Sequence, residues 1–370
     1  MPEIILKNVT KRWGDFVAVD NLNMTVVDRD FITLLGPSGC GKTTTLRMIA
    51  GLETPTEGTI TIGGKVVFDS ARGINVPPQK RDIGFLFQNY ALWPHMTVWQ
   101  NISFGLENMK WKKSDIKARV EEMLRLLKIE EFAHRYPAEL SGGQQQRVAI
   151  ARTLAPAPKV LFMDEPLSNL DAKLRGEMRT ELKRLHADTE ATFLYVTHDQ
   201  LEAMTLATKI CLMNRGHLQQ YEPPLTVYCR PQNLFVADFV GNPTMNLIPA
   251  KAKRIGENEA ELELLGISVQ YHSGEKFDLQ SEDVVVGVRP EALPISDTGS
   301  VHATAYSTLP AGMETTVKLA IGGQLLSSVV FGAIDFDVDA PVRFDFSGSG
   351  ICLFDRASGE RVAIGSITVK

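Results

Sequence analysis

Phe31-Ile32-Thr33-Leu34-Leu35 runs directly into Gly36-Pro37-Ser38-Gly39-Cys40-Gly41-Lys42-Thr43 and then into Thr44-Thr45-Leu46-Arg47-Met48-Ile49-Ala50. The first run is short, apolar and partly β-branched, which reads as a buried strand. The last reads as a helix, and the turn between them fits G-x-x-x-x-G-K-[ST]. Glycines let such a turn bend tightly and aim backbone N–H groups at phosphate oxygens, and a helix N-terminus adds partial positive charge. On this pattern Lys42 is expected to reach the β- and γ-phosphates of a nucleotide, and the Thr43 hydroxyl to ligate Mg²⁺. The plainer reading is a glycine-rich strand–helix turn with no ligand. The strand before it and the helix after it favour the phosphate reading.

Outward from this turn, Val160-Leu161-Phe162-Met163 ends in Asp164-Glu165-Pro166. Successive strand residues face opposite sides, so both carboxylates serve one site only if Glu165 already lies in the turn. Pro166 biases Glu165 away from helical backbone as the strand ends. Asp164 is then expected in the Mg²⁺ shell and Glu165 as the general base that polarises water. A pair of solvated strand-end acids is the alternative.

Leu140-Ser141-Gly142-Gly143-Gln144-Gln145-Gln146-Arg147 leads into a helix over Gln146–Leu154. Ser141 with Gln144 matches a capping box, a purely structural start signal. Capping does not explain two consecutive glycines, which cost helix stability and free the backbone for close approach. A hydroxyl, bare N–H groups and a helix N-terminus make a second phosphate receptor. One nucleotide already cradled by Gly36–Thr43 leaves its far side for such a receptor, most naturally one supplied by a two-fold partner.

With these motifs the chain resembles the ATPase subunits of ATP-binding cassette (ABC) transporters, whose hallmark is LSGGQ; the similarity extends over nearly all 370 residues. The resemblance implies a P-loop α/β nucleotide-binding domain over 1–240, with a helical subdomain at about 90–155, followed by a β-rich, oligomer-binding-fold-like regulatory and dimerisation domain over 241–370. It implies ATP and Mg²⁺, and two copies sandwiching two ATP molecules. Each Gly36–Thr43 loop, with Thr44 beside it, would then face the partner's Ser141, Gly142, Gly143 and Gln144. Trp13 resembles the aromatic that stacks on adenine, and Gln88 the glutamine that links Mg²⁺ and water to the membrane subunits. Ser168-Asn169-Leu170-Asp171 resembles the loop that communicates across the dimer, and His198 the switch histidine at the γ-phosphate. Read alone, Trp13 is equally a core or surface filler, His198 a structural strand-end residue and Gln88 a polar strand end.

The rest of the chain fits that frame. Residues 1–235 alternate strand-like runs, such as Phe193-Leu194-Tyr195-Val196, with helical faces such as Ile116/Val120/Met123/Leu124/Leu127 and Leu174/Met178/Leu182/Leu185. Strands alternating with helices point to a mostly parallel sheet. Beyond about residue 240 the charge turns from +3 to −8. The apolar runs there become short and turn-bounded (Asp283–Val288, Thr316–Leu319, Val342–Phe346, Ile351–Phe354), as in a small barrel or sandwich. Tyr221-Glu222-Pro223-Pro224 and Gly241-Asn242-Pro243 are the two candidate exits from the first domain. Tyr90-Ala91-Leu92-Trp93-Pro94-His95-Met96 is aromatic for a connection and is expected to form an exposed docking patch.

Composition sets the outer limits. At 44 % apolar and 22 % charged residues, with a net charge of −5, the chain is globular and carries no broad polyanion-binding surface. No run approaches the roughly 18 apolar residues of a membrane span. The N-terminus shows no secretory signal, and four scattered cysteines argue against zinc or a disulfide framework and suit a reducing cytosol. The tail motifs Val286-Gly287-Val288-Arg289-Pro290-Glu291 and Phe239–Asn246 resemble those of importers for saccharides and glycerol phosphate. Polyamine, iron and sulfate importers carry related tails. The resemblance thus implies an ATP-hydrolysing homodimer at the cytoplasmic face of the inner membrane under two permease subunits. A solute-binding protein would act indirectly and a regulatory protein at the tail, with no nucleic acid. The runner-up is a soluble ABC protein acting on nucleic acid or the ribosome, although such chains usually carry two cassettes or a long arm.

Overall fold

The computed structural model describes residues 3–369. The chain divides into two compact units, one ending at Pro224 and one beginning at Leu225. The first unit opens with β1 (Ile4–Trp13), β2 (Phe16–Val26), β3 (Phe31–Leu35) and α1 (Lys42–Ala50). Next come β4 (Glu57–Ile62), β5 (Lys65–Asp69), β6 (Ile74–Asn75) and β7 (Ile83–Leu86). Three helices follow, α2 (Val98–Asn108), α3 (Lys113–Leu126) and α4 (Gly142–Leu154). The unit closes with β8 (Val160–Asp164), α5 (Ala172–Asp188), β9 (Thr192–Val196), α6 (Gln200–Leu206), β10 (Lys209–Asn214) and β11 (His217–Glu222).

Two sheets result. The central one has the order β11-β10-β3-β9-β8-β7, parallel from β10 to β7 with β11 antiparallel at its edge. Every residue of β3, β8 and β9 is buried, because both faces are covered. The strand period shows how: Phe193 and Tyr195 join the core under the helices, whereas Leu194 and Val196 join the core shared with α1 and the second sheet. That second sheet, β2-β1-β4-β5-β6, is antiparallel and is absent from the sequence expectation. Helix starts are set by side-chain caps: Thr97 for α2, Ser141 for α4, Asp171 for α5 and Asp199 for α6.

The unit boundary falls earlier than the expected 240/241, at the Pro223–Pro224 exit. The helices α7 (Pro224–Cys229) and α8 (Leu234–Phe239) are tied into the tail. The buried Arg289 guanidinium donates to the carbonyls of Tyr228 (2.6 and 3.1 Å) and Val240, and Leu234 N–H donates to Gly359 O at 2.8 Å. Charge is silent on this point, since 225–240 contains one Arg and one Asp.

The tail continues with β12 (Asn246–Arg254), β13 (Glu259–Leu264), β14 (Ile267–Ser273), β15 (Asp283–Val288), β16 (Val301–Pro310) and β17 (Glu314–Ile321). It ends with β18 (Gln324–Phe331), β19 (Pro341–Phe344), β20 (Ile351–Asp355) and β21 (Arg361–Val369). Strands β12-β13-β14-β21-β20-β15 close a barrel, and β18-β17-β16-β19 form a separate sheet that shares its core.

Candidate active site

The carboxyl ends of four parallel strands deliver the candidate residues: β3 leads to Gly36–Thr43, β7 to Gln88, β8 to Asp164 and Glu165, and β9 to His198. Such ends are where open α/β sheets place their ligand sites. Gly36 and Gly41 have φ of +148° and +105°. A Cβ on Gly36 would stand 2.2 Å from Met213 O, and one on Gly41 2.6 Å from Ala18 O, so sterics alone require glycine at both. Gly41 caps α1 with no side-chain hydrogen bond to the first N–H groups of the helix. The buried Lys42 ammonium folds back to donate to the carbonyls of Gly36 (2.7 Å) and Pro37 (2.9 Å). Burial pushes the Cys40 thiol above its ordinary range, against the pull of the Lys42 cation.

Thr43 Oγ1 donates to Asp164 Oδ1 at 3.0 Å, and Arg47 reaches Asp164 Oδ2 at 3.4 Å. Two oxygen donors at this separation suit the octahedral shell of a hard cation such as Mg²⁺, so the residues present fit the metal. Glu165 is in the turn, at φ +46°, with its N–H donating to Val196 O at 3.1 Å. That left-handed backbone is uncommon for a residue with a Cβ, and it swings the carboxylate to 3.4 Å from His198 Nδ1. Asp164, Thr43, Glu165 and His198 thus fall into two touching pairs on one strand edge.

Gln88 makes no hydrogen bond to Thr43 or Asp164. Its amide donates to Ser168 Oγ at 3.3 Å, its carbonyl accepts from Asn169, and Ser168 donates in turn to Glu165 O at 2.9 Å. Asp171 caps α5 through Leu174 N–H. Trp13 is 48 % exposed and lies parallel to Phe16 across the β1–β2 turn, with ring centroids 6.3 Å apart. Lys11 Nζ lies over the same ring, 5.4 Å from its centroid, and an exposed indole of this kind can stack on a purine.

Ser141 and Gln144 form the capping box: Gln144 Oε1 accepts from Ser141 N–H at 2.8 Å, and Ser141 Oγ from Gln144 N–H at 3.4 Å. The glycines lie inside α4, which starts at Gly142 rather than Gln146. Gly143 has a packing reason, since a Cβ there would meet Leu174 Cδ2 at 2.7 Å; Gly142 has none, its nearest neighbour being 3.7 Å away. Among the described residues no hydrogen bond joins Ser141–Gln144 to Gly36–Thr43 of the same chain.

The Tyr90–Met96 segment is partly packed rather than wholly exposed: Ala91, Pro94 and His95 are exposed and Leu92, Trp93 and Met96 half-buried. Tyr90 is buried and Trp93 packs on Phe104 at 4.4 Å, while Arg152 clamps the carbonyls of Tyr90 and Ala91 and lies over the Trp93 ring. Sequence reasoning also missed the support under His198. The Glu202 carboxylate accepts from Tyr195 (2.7 Å) and Thr197 (2.6 Å), and burial raises its pKa against those two hydrogen bonds. Glu202 sits one helical turn beyond a strand end with no motif around it, so nothing in the sequence singles it out.

The sequence profile of the ABC transporter family matches residues 19–168. The trehalose/maltose import ATP-binding protein of Thermococcus litoralis is 43 % identical over 373 residues, covering 98 % of this chain and all of that one. This chain belongs to the ABC transporter ATP-binding subunits. The sn-glycerol-3-phosphate import ATP-binding protein of Brucella abortus is 41 % identical over 372 residues, with 98 % and 100 % coverage. Among solved structures, a dimeric post-hydrolysis ATP-binding cassette bound to ADP and Pi superposes with a TM-score of 0.52 at 34 % identity. It covers 60 % of this chain and 98 % of its own. Membership accounts for both units: a cassette that binds ATP, followed by a β-rich region with a six-stranded barrel. No helix among the described residues is long and apolar enough to cross a membrane.

Proposed function

We propose that this chain hydrolyses ATP as a homodimer to power import of a saccharide or polyol phosphate through two permease subunits at the inner face of the membrane. The reading rests on one observation above the others: the Thr43–Asp164 oxygen pair stands at the mouth of the glycine loop, with Glu165 turned out beside it. Lys42 leaves the loop carbonyls for the β- and γ-phosphates, and the first N–H groups of α1 hold the remaining oxygens. Thr43 and Asp164 hold Mg²⁺, which when bound neutralises charge on the phosphates. Glu165 orients and deprotonates the attacking water, and His198, in contact with Glu165, senses the γ-phosphate. Trp13 stacks on the base. Gln88, tied to Ser168, relays the state of the site outward, and Ser168 and Asp171 face the partner chain.

Ser141, Gly142, Gly143 and Gln144 act on the partner's nucleotide, because among the described residues no hydrogen bond joins them to Gly36–Thr43 of the same chain. The tail holds the dimer together and receives regulatory signals. The solute class follows the substrates in the relatives' names, trehalose/maltose and sn-glycerol-3-phosphate.

Glu165→Gln tests the chemistry. It should bind MgATP yet hydrolyse it at least ~10²-fold more slowly, and should accumulate as an ATP-bound dimer on size-exclusion chromatography. Near-normal turnover overturns the assignment. Mixing Ser141→Arg with Lys42→Ala chains tests the partner contact: recovery of turnover in the mixture requires a site composed from both chains.

A further inference from the structure

A concavity of about 520 Å³ in the tail lies where β14 and β21 pair, beside the end of α7. Its wall includes Arg230, His272, Glu275, Lys276, Arg361 and Ser366. Three permanent cations against one carboxylate is an inverted balance for a region whose net charge is −8 over 236–370. Two of the basic groups already have acids: Lys276 pairs with Glu257, and His272 Nδ1 lies 3.4 Å from Glu259. Arg361 does not. Its half-buried guanidinium donates through Nη1 to the carbonyls of Arg230 (2.7 Å) and Pro231 (2.9 Å), and among the described residues no carboxylate lies within ion-pair distance of it. Carbonyl dipoles fix where the cation points without cancelling its charge. A partly desolvated guanidinium held in this way gains most from a bidentate oxyanion.

We propose that this concavity binds a small phosphate-bearing molecule, with Arg361 as the fixed anchor, Arg230 and Lys276 as the outer cations and Ser366 as a hydroxyl partner. A phosphate monoester carries close to two negative charges near neutral pH, which matches several cations better than a monocarboxylate does. The space also accommodates a body of monosaccharide size beyond the phosphate. This inference does not depend on which solute is imported.

The test uses the full chain carrying Lys42→Ala, so that Gly36–Thr43 does not report. Glucose 6-phosphate, glycerol 3-phosphate, inorganic phosphate and unphosphorylated glucose are titrated by calorimetry. The esters should bind. Arg361→Gln should weaken them at least ~10-fold, as loss of a charge-assisted bidentate contact does. Arg230→Gln should weaken them less, and Glu275→Gln should tighten them by removing the like charge. The last two leave the Arg361 anchor in place, so a folding defect in Arg361→Gln does not remove the test. Inorganic phosphate binding as tightly as the esters identifies the free anion as the ligand of the same site. No binding up to about 10 mM overturns the proposal. So do glucose matching its phosphate and affinities unchanged in all three variants.

Discussion

Two glycine-bearing turns open helices in the first unit, Gly36–Thr43 before α1 and Ser141–Gly143 at the head of α4, and they finish the helix end in different ways. At α1 no side chain caps the terminus, the glycines occupy left-handed backbone, and the nearest cation is folded onto the loop's own carbonyls. At α4 a reciprocal box satisfies the terminus, and one of its two glycines is required by packing on Leu174. The first turn leaves its leading N–H groups without a side-chain cap, open to a ligand or to water, whereas the second is capped by its own side chains and can only add a contact. A helix end left without caps is the stronger sign of an anion site, because unpaired N–H groups near protein surface are costly unless something visits them.

Alanine substitutions separate the two turns, beginning with the largest expected effect. Gly41→Ala puts a Cβ against Ala18 O in left-handed backbone, and should cost at least about 2 kcal/mol in chemical denaturation and abolish nucleotide binding. A wild-type-like denaturation midpoint would show that the loop relaxes, and would undo the argument from sterics. Ser141→Ala removes one cap and should cost about 1 kcal/mol while sharply reducing turnover. Gly142→Ala sharpens the contrast, since nothing lies within 3.7 Å of the new methyl. Stability should hold or rise by a few tenths of a kcal/mol up to about 1, whereas hydrolysis should fall if a partner's phosphate approaches there. Unchanged hydrolysis would return Gly142 to a purely structural role.

The smallest expected effect concerns acid. His186, packed on Phe31 and Phe193 with Nε2 donating to Arg29 O, has its pKa lowered from 6.5 by burial. The unfolded chain therefore binds the proton more readily. Stability should decline as pH falls through 6.5 and level off below the lowered folded value. His186→Gln should flatten that slope in a melting-temperature series, and neither turn should be affected.

The candidate site's strand edge was legible because phosphate and metal chemistry fixes residue types where strand patterns stop: Lys42 and Thr43 after one buried run, Asp164 and Glu165 after another. That Glu165 already lies in the turn was anticipated from Pro166; its left-handed backbone was not, since a following proline favours extended conformations. Tail strands were legible from alternation, with Asp283–Val288 matching β15 in full. The antiparallel sheet of the first unit was not, because bulges between Leu6 and Val9 and between Val9 and Lys11 break the two-residue period on which recognition depends. Tertiary packing hid the rest. Leu174 decides Gly143, Arg152 lies over the Trp93 ring and holds the carbonyls of Tyr90 and Ala91, and Arg289 draws two nearly uncharged helices into the tail.

Arg81 has a mechanical consequence. The buried guanidinium donates to the carbonyls of Met48 and Ile49 at the far end of α1, and to Val76 O, with no carboxylate among its partners. Two residues later β7 begins, and beyond β7 lies Gln88. The rear of the phosphate-loop helix and the root of the Gln88 segment are therefore one fixed joint. Displacing the chain just before β7 pulls on the rear of the phosphate-loop helix through one side chain.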